Sequence, residues 1–400
     1  MNCCDLSTNT LVMDGTPITT PSGFIEIYKE DKYVRHVDYI EKRFAQLEGE
    51  ANGIVKKIDG CIEKGKVTLQ RGEMNTLRKF LFILSYRNGH RSQQFVEEHF
   101  DEATHQRIKT FQTEHGLRDI RSVWFFNLKN ILESEHWQVA RNPKIFFADR
   151  LDYKLEQNWF QPRFFCTPVG SDLIFTGAMG LLEGSPIQDP ILRLTLDTMF
   201  GESRYWTGTQ SSTEGTLNLT RSWPLTPHLL VIFSNHLGGM QHQLSPNGDP
   251  TEPPYGIQPS YFYDLPKMHD AVTCNPPLSA ATNYMLSAPI ATFTQEHHRL
   301  RREFEEMNKL DGKDIDTRIK DLLTFQIGEL TEEQCVRVNV LILDHGDTSI
   351  VFITARSLWR ALKRYAGEGR FCSRADRGVG FQMLERKLAA EGKGHTTRSS

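Results

Sequence analysis

Val37, Ile40, Phe44, Leu47, Ala51, Ile54 and Ile58 recur three and four residues apart and write one apolar stripe along a long helix. A helix marked in this way gains most of its stability by burying that stripe, so helix packing constrains the fold before anything else does. Two carboxylates, Glu41 and Glu48, lie at the edge of the stripe, and at about 100° per residue they point nearly the same way as Asn52. Acids at such a border either hold a hard cation between core and cavity, or reach water and pair with Arg43 or Lys56. The residues alone leave both readings open.

With 400 residues, 38% hydrophobic and 24% charged, the chain can bury one large core or two ordinary ones. Its formal net charge is -3 and its basic residues are scattered, which argues against nucleic acid as a partner. No apolar run approaches the roughly 20 residues that a membrane helix needs, and residues 1–20 lack the basic and apolar regions of a signal peptide, so a cytoplasmic location is expected. The seven cysteines form no CxxC pair and no zinc spacing, and read as thiols without a bridging or metal role.

The texture changes twice along the chain. Residues 1–25 are polar and turn-rich and read as a mobile arm, with the Pro17 and Pro21 region able to fold over a site. Helices then dominate to about residue 140: the Val37 stripe, a helix from Glu73 with Leu77, Phe80, Leu81 and Leu84 on one face that stops near Asn88-Gly89, and two more over 94–114 and 120–132. Short strands follow at 163–168, 172–176 and 229–233. The Pro-, Gly- and Asn-rich stretch 238–277 is long enough to be functional. A charged helix is expected over 294–310, then a capping-box start at Thr331 and Gln334, a short segment 350–354 and a last helix 355–365. The predicted architecture is α+β, mainly helical with a small sheet in the second half: one catalytic domain over 26–366 and a loosely ordered tail over 367–400.

Dinucleotide, P-loop, zinc-protease, serine-hydrolase and kinase signatures are missing. What remains are acids, bases and aromatics. Asp149, Asp152 and Glu156 have helical spacing and could present three carboxylates on one face. Arg87 and Arg91 bracket the Asn88-Gly89 helix stop, where guanidinium forks either meet phosphate oxygens or complement the helix dipole. Lys267, after Tyr261, Phe262 and Tyr263, is either a surface lysine or a diphosphate anchor.

Several stretches resemble a mainly fungal family of helical proteins defined as a domain of unknown function: residues 40–50, the Arg87/Arg91 helix end, 130–136, 149–153, 180–184, 223–229 and 325–339. That family looks like the home of the noncanonical humulene synthases of fungal tropolone sesquiterpenoid pathways. These are class I terpene cyclases without the usual aspartate-rich motif, which this chain also lacks. The resemblance implies a Mg²⁺-dependent enzyme acting on a small-molecule prenyl diphosphate. It implies Glu41, Glu48, Glu183 and Asn339 as metal ligands, Arg87, Arg91 and Lys267 as diphosphate-binding residues with Arg91 and Lys267 catalytic, and Phe44, Phe262 and Tyr263 as pocket walls. Where many relatives carry an Asp-Asn pair this chain has Gly177-Ala178, a departure at the loop that precedes Glu183. The expected activity is closure of a humulene-like ring from farnesyl diphosphate. The alternatives are a noncatalytic binding or scaffold protein of the same fold, and another prenyl-diphosphate enzyme.

Overall fold

The structure is a computed structural model that describes residues 2–5, 10–12, 34–87, 95, 98, 100, 102–150, 153, 160–176, 181–183, 186–187, 215–216, 220–235, 273–274, 319–320, 322–345, 349–367, 384 and 386–389. In chain order these form β1 (Asn2–Asp5), β2 (Thr10–Val12), α1 (Val34–Asp59), β3 (Lys66–Gln70), α2 (Arg71–Tyr86), α3 (Glu102–His115), α4 (Ile120–Glu133) and α5 (His136–Val139). Next come β4 (Phe160–Cys166), β5 (Phe175–Thr176), β6 (Leu181–Glu183), β7 (Pro186–Ile187), β8 (Gly215–Thr216), β9 (Thr220–Thr226), β10 (Leu229–Asn235) and β11 (Thr273–Cys274). The last elements are β12 (Leu322–Glu329), α6 (Glu332–His345), β13 (Ser349–Phe352) and α7 (Ala355–Gly367). The fold is α+β, mainly helical with a modest sheet.

From Ile40 to Ile58 the stripe on α1 is buried, and it is shared between two cores. Ile40, Phe44 and Leu47 join a helical core with α3, α4 and α5, whereas Ile54, Val55 and Ile58 pack on the sheet. Helix α2 divides in the opposite order: Met74, Leu77 and Leu81 face the sheet, and Phe82, Ile83 and Tyr86 enter the helical core. The two helices therefore run antiparallel, and the first half of α1 lies beside the end of α2. Gly72 at the start of α2 lets the backbone of Ile319 approach; a Cβ there would meet the Ile319 side chain at 2.8 Å.

Seven strands form the main sheet, six in the order β11-β12-β4-β10-β9-β6 and β3 also paired with β12; β12 and β4 are parallel and the other pairs antiparallel. Period-two alternation assigns the faces. Phe164, Trp223, Val231, Phe233, Phe325 and Ile327 meet α1 and α2, and Phe165, Leu230 and Ile232 meet α6 and α7. A second sheet, β2-β1-β13-β5, adds Ile350 and Phe352 to that latter core.

Within the stretch read as a mobile arm, β1 pairs with β13 in the register Cys3↔Val351. Within the stretch read as a loose tail, Leu384 and Leu388 are buried against α6 and α7. The helix expected over 294–310 lies outside the described residues, as does 238–277 apart from β11.

Candidate functional site

Arg87 caps the C-terminus of α2 by donating its backbone N–H to the Ile83 carbonyl at 2.8 Å. Because the end of α2 lies beside the first half of α1, its side chain reaches the residues at the edge of the α1 stripe. Nη2 donates to Glu41 Oε1 at 3.0 Å, and the guanidinium sits 4.1 Å from the centroid of the Phe44 ring. Glu41 and Phe44 stand three residues apart on one helix face, so one fork meets a carboxylate and an aromatic face at once. Three residues chosen from the sequence for three roles (metal, diphosphate, pocket) thus converge. The Arg87 side chain is 10% exposed and that of Glu41 45%, which makes the carboxylate the accessible half of the pair.

Glu48 is exposed on the same side of α1. Mg²⁺ is commonly held by one or two carboxylates, with water and phosphate oxygens completing its six positions. Glu41 and Glu48, the described acids that the sequence offers for such an ion, stand seven residues and so about 10 Å apart along α1. Asn339 is built differently. It is 1% exposed, its Nδ2 donates to the Asp172 carbonyl at 2.9 Å, and its Oδ1 accepts from Ile174 N–H at 3.0 Å. Both ends of its amide hold α6 against the segment before β5. Glu183 lies on β6, where only the backbone is described. Arg91, Phe262, Tyr263 and Lys267 lie outside the described residues. Among the described residues, no group of three or more His, Cys, Asp or Glu could hold a metal ion.

Behind Arg87 lies a buried polar layer in an aromatic core. Asp149, at 1% exposure, accepts from Tyr86 Oη at 3.3 Å and from Asn127 Nδ2 at 2.7 Å, while Asn127 Oδ1 accepts from Phe146 N–H at 2.8 Å. Tyr86 stacks on Trp124 at 6.1 Å, and Tyr153 meets Phe82 edge-on at 4.8 Å. His136 Nδ1 lies 2.6 Å from Tyr153 Oη. Burial pushes that imidazole down to about 3, with the cations Arg78 and Lys79 adding to the effect. Lys79 donates to the carbonyls of Leu132 at 2.9 Å and Ser134 at 2.6 Å, at the end of α4, and burial lowers its ammonium to about 8. Asp149 carries helical carboxylate spacing in the sequence, yet Asp152 and Glu156 lie outside the described residues and Asp149 itself faces the core. Tyr86, Asn127, Lys79 and His136 carry no comparable signal. Only the adjacency of Tyr86 to Arg87 could have pointed to the first of them.

The sequence pattern of a family described as a protein of unknown function (DUF4238) matches residues 18–162, a span that holds Glu41, Phe44, Arg87, Asn127 and Asp149. No curated protein and no solved structure matches the chain. Among the described residues no helix is long and apolar enough to cross a membrane.

Proposed function

We propose that this chain is a Mg²⁺-dependent sesquiterpene cyclase that ionises farnesyl diphosphate and closes a humulene-like ring, acting in the cytoplasm in fungal secondary metabolism of the meroterpenoid or tropolone sesquiterpenoid type. The observation that carries the reading is the meeting of Glu41, Arg87 and Phe44, 3.0 Å and 4.1 Å from contact to contact, at the exposed edge of an aromatic core. Ionising an allylic diphosphate requires neutralisation of the leaving group. Mg²⁺ bound at Glu41 and Glu48 would supply most of that positive charge. The Arg87 fork binds phosphate oxygens in a bidentate manner, and the Phe44 ring holds the guanidinium in place for them. Arg91 and Lys267 complete the diphosphate clamp in this reading, and Phe262 and Tyr263 extend the apolar wall. Desolvated aromatic faces of this kind stabilise a nearby cation by about 1–2 kcal/mol per ring.

The test is incubation of the purified chain with farnesyl diphosphate, with and without Mg²⁺, followed by gas chromatography and mass spectrometry of the organic extract. A sesquiterpene hydrocarbon formed only with Mg²⁺ is the expected result. No hydrocarbon from farnesyl, geranyl or geranylgeranyl diphosphate would overturn it. One observation favours a second reading, a noncatalytic binding or scaffold protein: Glu41 and Arg87 already neutralise each other, as structural ion pairs do. Thermal unfolding separates the two readings. A binding site predicts stabilisation by a diphosphate with Mg²⁺ through mass action, and a purely structural pair predicts none.

A further inference from the structure

We propose that the face of the main sheet turned toward α6 and α7 holds a site for the carboxylate of a small apolar acid, gripped by Arg163 of β4 and Ser222 of β9. The site lies on the opposite face of the sheet from α1 and α2, so it goes beyond the cyclase reading and does not depend on it.

Three features carry it. Arg163 and Ser222 both stand opposite Ile232 of β10, in the registers Ile232↔Arg163 and Ile232↔Ser222, so the three residues form one row across the sheet. Residues directly opposite each other share a face, and Ile232 belongs to the core beneath α6 and α7 together with Phe165 and Leu230. The two polar ends of the row are orphans. Ser222 is 0% exposed and its Oγ has no hydrogen-bond partner; Arg163 Nε is likewise closed to solvent and unpartnered, and its guanidinium pairs with no acid among the described residues. Arg163 as a whole is half-buried, so part of its side chain still meets solvent while Ser222 is sealed behind the row.

The chemistry follows from that placement. Buried polar groups are nearly always hydrogen-bonded, and a guanidinium drawn out of water without a counter-charge is costly. One acceptor that serves both ends of the row removes both costs together. Neighbouring strands lie about 4.8 Å apart, so the row spans about 10 Å from Arg163 to Ser222, a gap that a long guanidinium side chain, an anion and a short hydroxyl fill between them. A carboxylate matches the charge of the fork, accepts its N–H groups and has lone pairs left to accept from Ser222 Oγ. The walls select the rest of the ligand. Ile232 at 1% exposure, with Phe165 and Leu230 at 0%, suits an aliphatic stem, whereas a phosphate would lose more hydration here for the same two donors.

The test uses the full chain, with octanoate as the probe in isothermal titration calorimetry and octanol and inorganic phosphate as comparisons. Octanoate is expected to bind. Arg163→Gln should weaken it by about tenfold and Ser222→Ala by about fivefold, in variants whose circular dichroism shows them folded. Arg163→Lys keeps the charge without the fork and should fall between wild type and Arg163→Gln; it carries the comparison if the glutamine variant does not fold. Thermal unfolding without any probe is the second measurement. A hydroxyl with no partner serves no bond in the fold, so Ser222→Ala should leave the midpoint unchanged or raise it. No octanoate binding, or binding that neither substitution weakens, would overturn the site. So would a Ser222→Ala chain that unfolds several degrees lower, because the hydroxyl would then be bonded within the fold. Octanol bound as tightly as octanoate would reduce the site to an apolar crevice, and phosphate bound through Arg163 in place of octanoate would overturn the carboxylate assignment. Turnover of farnesyl diphosphate enters none of these results, so the loss of either reading leaves the other standing.

Discussion

The helical core and the core beneath α6 and α7 each bury one aspartate to 1% exposure, and the two acids are held in opposite ways. Asp172 takes its donors from one place, the start of α7: Thr354 Oγ1 at 2.5 Å and Ser357 Oγ at 2.8 Å on Oδ1, and the N–H groups of Ile353 at 3.3 Å and Thr354 at 3.2 Å on Oδ2. An acid at the N-terminus of a helix is matched by the orphan backbone donors and by the dipole, a contact that stabilises the helix start. Asp149 takes side-chain donors from two separate helices, Tyr86 at the end of α2 and Asn127 in α4. Side chains can re-pair when a helix end shifts, and the residue after Tyr86 is Arg87. The same residue type at the same burial is therefore held by the start of one helix in one half of the molecule and by side chains of two helices in the other, next to the candidate site.

Acid should expose this difference most strongly. The helical core contains His136, whose pKa burial depresses to about 3 from 6.5. A lowered folded pKa means that the unfolded chain binds the extra proton first. Stability is therefore whole above pH 6.5 and falls as the pH drops toward 3, by as much as about 4 kcal/mol. Denaturant unfolding across that pH range should show the loss, and His136→Gln should flatten it. Hydrogen exchange at low pH should open amides of α2 and α4 before those of α6. If α6 opens first, the contrast between the cores is misdrawn.

The two aspartates supply the next test. Asp172→Asn replaces an acceptor of four donors with a group that is half donor, and is expected to cost about 2–4 kcal/mol in chemical denaturation. Asp149→Asn is expected to cost less, about 1–3 kcal/mol, while also weakening the binding of inorganic diphosphate with Mg²⁺ because the anchor beside Arg87 is loosened. Equal losses of stability would break the comparison. So would a change in diphosphate affinity in folded Asp172→Asn.

How much of this was legible depended on the length of the signal. The α1 stripe runs through six turns' worth of spacing, and each described position of it is buried. The capping box at Thr331 and Gln334 forms as its residue types require, with bonds of 2.8 Å and 3.2 Å. Interrupted signals were lost. Strand β3 buries only Val67 and Leu69, and β12 alternates Leu323, Phe325 and Ile327 with polar residues, so neither shows the continuous apolar run that marks β10. Strand β9 carries Pro224, which argues against a sheet position until β10 supplies the partner, with a register shift at Leu229/Leu230. At the site, Glu41, Phe44 and Arg87 could each be chosen from local spacing. Their contact could not, because it depends on α1 and α2 running antiparallel. Asp149 was visible as an acid, but its burial is a property of three elements packed together.

The smallest effect is expected at the boundary of the quieter half. Arg360 donates to Glu332 at 2.6 Å between α7 and α6, and that guanidinium holds the Glu332 carboxyl below the usual carboxylate range. The carboxylate is open to solvent, so water replaces most of what the partner provides, and salt screens the remainder. Glu332→Gln should leave the unfolding midpoint unchanged at physiological ionic strength. Lys79→Met makes the informative contrast, because Lys79 closes the carbonyls of Leu132 and Ser134 from a partly buried position, where solvent screens the contact less. If Glu332→Gln lowers the midpoint as much as Lys79→Met does, exposure is not what separates the two charges, and the argument that α6 and α7 are held by Asp172 and packing would have to yield to one built on surface charge.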